Sequence, residues 1–199
     1  MAGIASNKLH PPRFQFDREK FKNVVHYVCA SCDNQKLGNV KLHKVLYFAD
    51  MLFYVQEGRP ITGATYQKQQ FGPTASYLTR ALRELESNGA IEISDEDFYG
   101  FRKKSYKSLR EPNLNRLSDA EKQHIDSMVG TICYDMTAKE ISDISHGVAW
   151  SAAQIGEELP YVTALSLFPV EISDEDIEWG VEEASKIVAG TQHTGSMRS

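Results

Sequence analysis

Two groups of residues in this chain have the types and spacing that metal or acid–base chemistry requires. In the first, His26, Cys29 and Cys32 follow one another at intervals of three in a predicted helix. Because a helix rises 1.5 Å per residue, about 9 Å separates the first side chain from the third, too far for one tetrahedral zinc ion. No second Cys-x-x-Cys pair occurs. The pattern therefore predicts small buried cysteines and no metal site.

The second group is the carboxylate–imidazole pair Asp143 and His146, followed by Trp150. Such a pair can act as a general base or as half of a metal site. No serine or cysteine in a nucleophile-elbow context accompanies it, and phosphate-binding glycine patterns are absent from the sequence. We therefore expect these three side chains to form a buried structural cluster, and we expect neither enzymatic activity nor a cofactor.

The composition is that of a soluble globular protein. Hydrophobic residues make up 41% of the 199 residues and charged residues 25%, both close to the average. No apolar run is long enough to span a bilayer, and the N-terminal residues lack the apolar segment of a signal peptide. The three cysteines are an odd number, which disfavours a disulfide framework. These features predict a cytoplasmic protein without a membrane partner.

Charge is distributed unevenly along the chain, whose net charge is −5. Segment 99–110 contains five basic residues and no acid, whereas segment 171–183 contains seven acids and no base. A solvated surface is the commoner meaning of such runs. The alternative is a DNA contact, in which operator phosphates would meet Arg102, Lys103, Lys104 and Lys107.

Hydrophobic periodicity predicts a mainly α fold, a single compact domain of about six helices with a small β-hairpin. Helix 1 begins after the N-cap Asp17, and helix 2, about 40–57 with an N-cap at Asn39, is apolar on nearly every side, which indicates a central position. Helix 3 follows Pro73 and ends at Gly89. The next segment, to about residue 108, predicts the hairpin, so this middle section is winged-helix-like.

Capping-box patterns begin three further helices, at Ser118, Thr137 and Ser173. The last is acidic and carries an apolar stripe at Ile177, Val181, Ala184 and Val188. We expect one domain over residues 14–189, a flexible N-terminus at 1–13 and a flexible tail at 190–199.

Two separated blocks of sequence resemble the Panacea domain, the SocA-like antitoxin family, which is related to phage-associated GepA-like proteins. The first block, KLHKVLYFADMLFYVQEGRPITGATYQKQQFGP, follows the family's K-L-x-K-L-L-Y-F-A helix and its Y/F-G-P turn, here Phe71, Gly72 and Pro73. The second contains the family's S-D-x-S-H pattern and tryptophan, here Asp143, His146 and Trp150. The resemblance extends over residues 20–165.

The resemblance implies an antitoxin, linked to phage defence, that neutralises a toxin encoded by an adjacent gene through direct protein–protein binding. A homo-oligomer or a hetero-oligomer with the toxin is compatible with this. One branch of the family is instead described as a proteolytic adaptor that delivers its toxin to a protease. The residues themselves leave another alternative open, a winged-helix-like regulator that binds the DNA of its own operon.

We expect the toxin to contact the segment around Gly72 and Pro73. Proline fixes its own φ and restricts the residue before it, so the segment is rigid and loses little entropy on binding. The alternative is that Phe71 and Tyr77 belong to the core. The predicted contact residues are Tyr66, Lys68, Gln70, Phe71, Tyr77, Arg80 and Arg83.

Overall fold

The computed structural model describes residues 12–98 and 101–168, and the described residues as far as Leu167 belong to one compact unit. This part of the chain contains six α-helices and two antiparallel strand pairs, so the prediction of a mainly helical fold is confirmed. The elements, in chain order, are α1 (Arg18–Ser31), α2 (Asn39–Glu57), β1 (Tyr66–Gln69), β2 (Gly72–Ala75), α3 (Leu78–Ser87), β3 (Ile91–Phe98), β4 (Phe101–Ser108), α4 (Asp119–Val129), α5 (Ala138–Ser145) and α6 (Val148–Ala152). A π-helical segment, Gly130–Asp135, continues α4, and a 3-10 helix covers Tyr161–Leu167.

Local side-chain caps begin three of the helices where the sequence predicts them. Asp17 accepts a hydrogen bond from the backbone N–H of Lys20 at 2.9 Å, which satisfies one free donor at the start of α1. Reciprocal capping boxes are present at Ser118 for α4 and at Thr137 for α5. The predicted capping box at Ser173, the acidic helix and both flexible termini fall wholly or almost wholly outside the described residues, so the domain limits stay a prediction.

Helix α2 is the central element of the fold. Its buried residues include Leu42, Val45 and Phe53 and lie on several sides, as its nearly continuous apolar sequence predicts. The predicted N-cap is wrong, because Gly38 takes that position without a side-chain cap. Asn39 lies inside the helix, and its side-chain oxygen accepts a hydrogen bond from the Tyr106 hydroxyl at 2.8 Å.

The segment around Gly72 is a β-hairpin, which the sequence did not predict. Strands β1 and β2 pair antiparallel from Tyr66–Ala75 to Gln69–Gly72, and Gln70 and Phe71 form the two-residue loop. The expected start of helix 3 directly after Pro73 is therefore wrong. Helix α3 begins only at Leu78 because the intervening residues pair with β1.

A second, longer hairpin follows α3. Strands β3 and β4 pair in register from Ile91–Ser108 to Phe98–Phe101, which confirms a hairpin in the predicted place. Its buried residues Ile91 and Tyr106 join the same hydrophobic core as α1 and α2. A helix followed by a hairpin agrees with the order of elements in a winged helix, but order alone does not establish that fold.

Candidate partner-binding site

A buried lysine of the central helix lies beneath the tip of the first hairpin. The side chain of Lys44 is 1% exposed, and its Nζ donates to the backbone carbonyl of Phe71 at 3.0 Å. No carboxylate in the described part of the chain forms an ion pair with it. Burial without a counter-charge disfavours the ammonium form and lowers the pKa of Lys44 to about 8. The hydrogen bond therefore anchors the hairpin tip to α2.

Glycine is required at position 72 for two reasons. Its φ is +110°, a conformation that residues with a side chain rarely adopt. A Cβ atom there would also lie 1.9 Å from Nζ of Lys44 and 3.0 Å from Nε2 of His146. The absence of a side chain thus lets the hairpin backbone sit directly on the lysine and the histidine.

His146 and Trp150 cover the same point from α5 and α6. Their rings are stacked, with centroids 4.0 Å apart and an interplanar angle of 19°. Nε2 of His146 and Nε1 of Trp150 are buried and have no hydrogen-bond partner among the described residues. Burial, reinforced by the nearby Lys44 cation, lowers the pKa of His146 and so favours its neutral imidazole.

Lys68 connects β1 to the loop after α6. Its Nζ lies 4.2 Å from the centroid of the Trp150 ring, a cation–π geometry, and donates to the carbonyl of Ala153 at 2.9 Å. Backbone bonds reinforce the connection, since Lys68 accepts from Gly156 at 2.8 Å and donates to Glu157 at 2.9 Å. The first hairpin and the segment after α6 therefore form one connected surface.

The expected buried cluster of Asp143, His146 and Trp150 is only partly correct. His146 and Trp150 do stack, but the Asp143 side chain is 60% exposed and pairs with Lys139, one helical turn earlier, at 2.6 Å. A residue three positions before the histidine can point to solvent while the histidine points inward. The charged group that contacts the stacked pair is Lys68, over the Trp150 ring; it comes from the other sequence block, and no local spacing could reveal this contact.

A buried carboxylate that the sequence did not single out supports the hairpin from below. Asp50 of α2 accepts hydrogen bonds from the backbone N–H of Thr62 at 2.8 Å and from the Tyr66 hydroxyl at 2.9 Å. Its complete burial raises its pKa, and the hydrogen bonds partly oppose that effect. Tyr66 is consequently buried, so its predicted contact with a partner is wrong. An acid inside an otherwise apolar helix was the available signal for this network.

Four large apolar side chains on the hairpin tip, on α5, on α6 and in the loop after α6 face solvent. Phe71 at the hairpin tip is 76% exposed and Val148 at the start of α6 is 73% exposed. Ile144 and Ile155 are also exposed. Ile144 lies two residues before His146, and Val148 lies two residues after it. Ile155 precedes Gly156, whose N–H donates to the Lys68 carbonyl in β1. We call these four residues the hairpin-tip patch. The exposure of Phe71 excludes the alternative that it belongs to the core, and its contact with a partner stays a prediction.

The predicted contact residues on α3 differ in exposure. Tyr77 is half-buried, and its ring lies 5.4 Å from that of Phe16, centroid to centroid, so it belongs largely to the core. Arg80 is exposed and pairs with Glu84 of the same helix at 3.0 Å. Arg83 is exposed, as is Gln70 at the hairpin tip. Arg80 and Arg83 remain accessible to a partner.

The basic strand of the second hairpin lies opposite an acidic strand. Its Cα register sets Lys104 opposite Asp95, Lys103 opposite Glu96 and Lys107 opposite Glu92. Arg102 is likewise opposite an acidic residue. The Lys103 ammonium also donates to the Gln35 carbonyl in the loop before α2. Residues 91–108 contain four acids and four bases, so this hairpin has no net charge to attract phosphate.

The structure does not bring the side chains of His26, Cys29 and Cys32 together as metal ligands. His26 is within 3.0 Å of the Ser108 hydroxyl, and Cys29, Cys32 and Cys133 are buried and free. Within residues 12–98 and 101–168, no three His, Cys, Asp or Glu side chains are grouped in a way that could hold a metal ion. None of the described helices combines the length and the apolar character that crossing a bilayer would need.

Comparison with known proteins identifies one family. Residues 42–151, more than half of the chain, match the model of the family described as antitoxin SocA-like, Panacea domain. No curated protein and no solved structure matches the chain. The matched range includes Lys44, the whole first hairpin, His146 and Trp150.

Proposed function

This chain belongs to the SocA-like antitoxin family with a Panacea domain, and from that premise we propose that it neutralises a cognate protein toxin by binding it directly. Family membership confirms the resemblance seen in the sequence and supports an antitoxin role in general. We further propose that the toxin is the product of the adjacent gene and that the two chains form a hetero-oligomer.

The main support for direct binding is that the Phe71 side chain is exposed while its backbone is held in place. A large aromatic side chain at the centre of an interface contributes strongly to affinity when it enters a pocket of the partner. Lys44 holds the backbone of Phe71 through a hydrogen bond, and Pro73 fixes its own φ and restricts Gly72 before it. Because the tip is already ordered, binding loses little conformational entropy there.

The rest of the hairpin-tip patch extends this contact surface. Val148, Ile144 and Ile155 lie on elements that the stacked rings and Lys68 connect to the hairpin. Exposed apolar residues on neighbouring elements are typical of interaction surfaces. We propose that the toxin covers this patch and that the polar side chains Gln70 and Lys68 contribute to its rim. Arg80 and Arg83 on α3 are a second candidate contact region.

The alternatives from the sequence receive less support. Operator binding relied on the basic strand, whose cations lie opposite acidic residues in the β3–β4 register. The proteolytic adaptor would also need a toxin-binding surface, so the same patch would serve it, with a protease as an additional partner. Direct neutralisation requires only the surface described above.

The test is co-expression with the adjacent gene product, using Phe71→Ala and Val148→Ser variants. We expect both variants to fold, because these side chains are exposed, and to lose growth rescue and toxin capture. Alanine at an interface anchor of this kind typically costs about 2–4 kcal/mol of binding free energy, at least a tenfold loss of affinity.

Leu109→Ala is the matched control, since Leu109 is an exposed apolar residue directly after β4, away from the hairpin-tip patch in sequence. This variant should rescue growth and capture toxin like the wild type. Wild-type affinity in Phe71→Ala and Val148→Ser would exclude the hairpin-tip patch. Failure of the wild-type chain itself to bind and neutralise the toxin would refute direct neutralisation.

A further inference from the structure

Two cysteines that are distant in the sequence are neighbours in the fold. The thiols of Cys32 and Cys133 are close enough for each to shift the pKa of the other. The residues that follow them are also in contact, because the Asp33 N–H donates to the Tyr134 hydroxyl at 3.1 Å. The end of α1 and the π-helical segment after α4 are thus held together at the two sulfur atoms.

The surroundings distinguish the two thiols chemically. Interaction with Cys32 lowers the pKa of Cys133, and burial partly opposes this effect. The Lys41 ammonium, which donates to the Cys133 carbonyl at 2.8 Å, lowers the pKa further. The same thiol–thiol interaction, together with burial, raises the pKa of Cys32. Of the two thiols, Cys133 is the one whose thiolate form is favoured, whereas the Cys32 thiol donates to the Asp33 carbonyl at 3.5 Å. A thiolate beside a second thiol is the arrangement that oxidation to a disulfide requires.

The backbone at both cysteines departs from a regular α-helix. Cys32 is the C-cap of α1 and has extended backbone angles, φ −111° and ψ 137°. Cys133 lies in the π-helical segment Gly130–Asp135, and insertions of this kind into α-helices often occur at functional sites. By contrast, Cys29 lies inside α1, and burial alone raises its pKa to about 12.

We propose that Cys32 and Cys133 form a reversible disulfide when the protein meets a hydroperoxide such as hydrogen peroxide. The Cys133 thiolate attacks one peroxide oxygen, so an S–O bond forms, the O–O bond breaks, and the departing hydroxide takes up a proton to become water. The Cys32 sulfur then attacks the Cys133 sulfenic acid, so the S–S bond forms, the S–O bond breaks, and a second water leaves with the Cys32 proton. Two thiols are oxidised and one peroxide is reduced. This site does not depend on the proposed toxin contact.

The test treats the purified, reduced chain with hydrogen peroxide and measures intact mass, thiol content after denaturation, and the peptides linked after proteolysis. We expect a mass loss of two hydrogen atoms, a fall from three free thiols to one, and a linked pair of peptides carrying Cys32 and Cys133. A thiol reductant should restore all three thiols. The oxidised chain should also unfold at a higher temperature than the reduced chain, because the new bond closes a long loop.

Cys29→Ser is the matched control and should form the same disulfide. In Cys32→Ser no intramolecular bond can form, so Cys133 should be trapped as the sulfenic acid by a dimedone-type reagent. Cys133→Ser should give much less trapping at Cys32, which lacks the stabilised thiolate. The proposal is refuted if the wild-type chain keeps all three thiols at a peroxide concentration that does modify Cys133 in Cys32→Ser. It is also refuted if the linked peptides include Cys29, or if disulfides form only between chains.

Discussion

The two hairpins of this protein are stabilised in different ways. The β1–β2 hairpin is short, and its tip exposes Phe71 while the backbone beneath rests on Lys44 and His146. The β3–β4 hairpin is twice as long, and cations on one strand lie opposite acids on the other. The first therefore depends on contacts with distant parts of the chain, whereas much of the second is stabilised by its own cross-strand pairs.

Because of this difference, the short hairpin has a surface suited to binding a partner, and the long hairpin has a surface suited to contact with solvent. Opposite charges face each other across the strands of the long hairpin and leave it no net charge for a polyanion. Buried anchors instead allow the short hairpin to expose apolar side chains without collapsing onto the core. Substitutions should therefore have large effects beneath the short hairpin and small effects along the long one.

Gly72→Ala should produce the largest loss of stability. Alanine would be strained at a φ of +110° and its Cβ would overlap the Lys44 ammonium, so we expect a loss of about 3 kcal/mol. Gly89→Ala, just before the second hairpin, is the matched control. Its φ is +68° with no atom within 4 Å of the added Cβ, so only backbone strain, about 1 kcal/mol, applies. Urea unfolding measures both values, and equal losses would contradict a special role for position 72.

Lys44→Met should change how stability depends on pH. The folded-state pKa of Lys44 is about 8, below the ordinary value of 10.5, so between these pH values the unfolded chain holds a proton that the folded chain has lost. Wild type should therefore gain stability relative to Lys44→Met as pH rises from 8 to 10.5, by at most about 1.4 kcal/mol per pH unit. Unfolding of both proteins at several pH values measures this difference, and a constant difference across the window would show that burial does not depress this pKa.

His146→Ala should destabilise the fold more than Asp143→Ala. The histidine is stacked on Trp150 against the hairpin, and its removal should cost about 1–3 kcal/mol. The exposed pair of Asp143 with Lys139 is screened by solvent and should contribute little to stability. Thermal denaturation of the two variants tests this order. The reverse order would mean that the carboxylate, and not the stacked ring, supports the short hairpin.

Charge reversal in the long hairpin should have the smallest effect. Lys104→Glu places two acids opposite each other at Asp95 and should cost about 0.5–1 kcal/mol. The double variant Asp95→Lys with Lys104→Glu restores an opposite-charge pair in reversed order and should recover most of that loss. A double-mutant cycle measured by urea unfolding gives the coupling energy. Strictly additive losses would show that the register pairs these charges without stabilising the hairpin.

The sequence alone determined the parts of this structure that depend on neighbouring residues. Asp17, Ser118 and Thr137 begin helices as predicted because each cap bonds to a backbone N–H three residues later. The central position of α2 followed from its apolar surface on every side. Family membership was likewise readable from the two motif blocks.

Only the tertiary structure decided what those motifs do together. The hairpin at Gly72 was missed because its strands are short and their pairing is completed by residues 156–159, far along the chain. The spacing of Asp143 and His146 suggested that they are partners, but in the fold the Asp143 side chain is exposed and His146 lies near Lys44. Phe71 was equally compatible with the core or the surface from its sequence context. Burial of a side chain depends on which distant elements cover it, so the spacing of neighbouring residues cannot predict it.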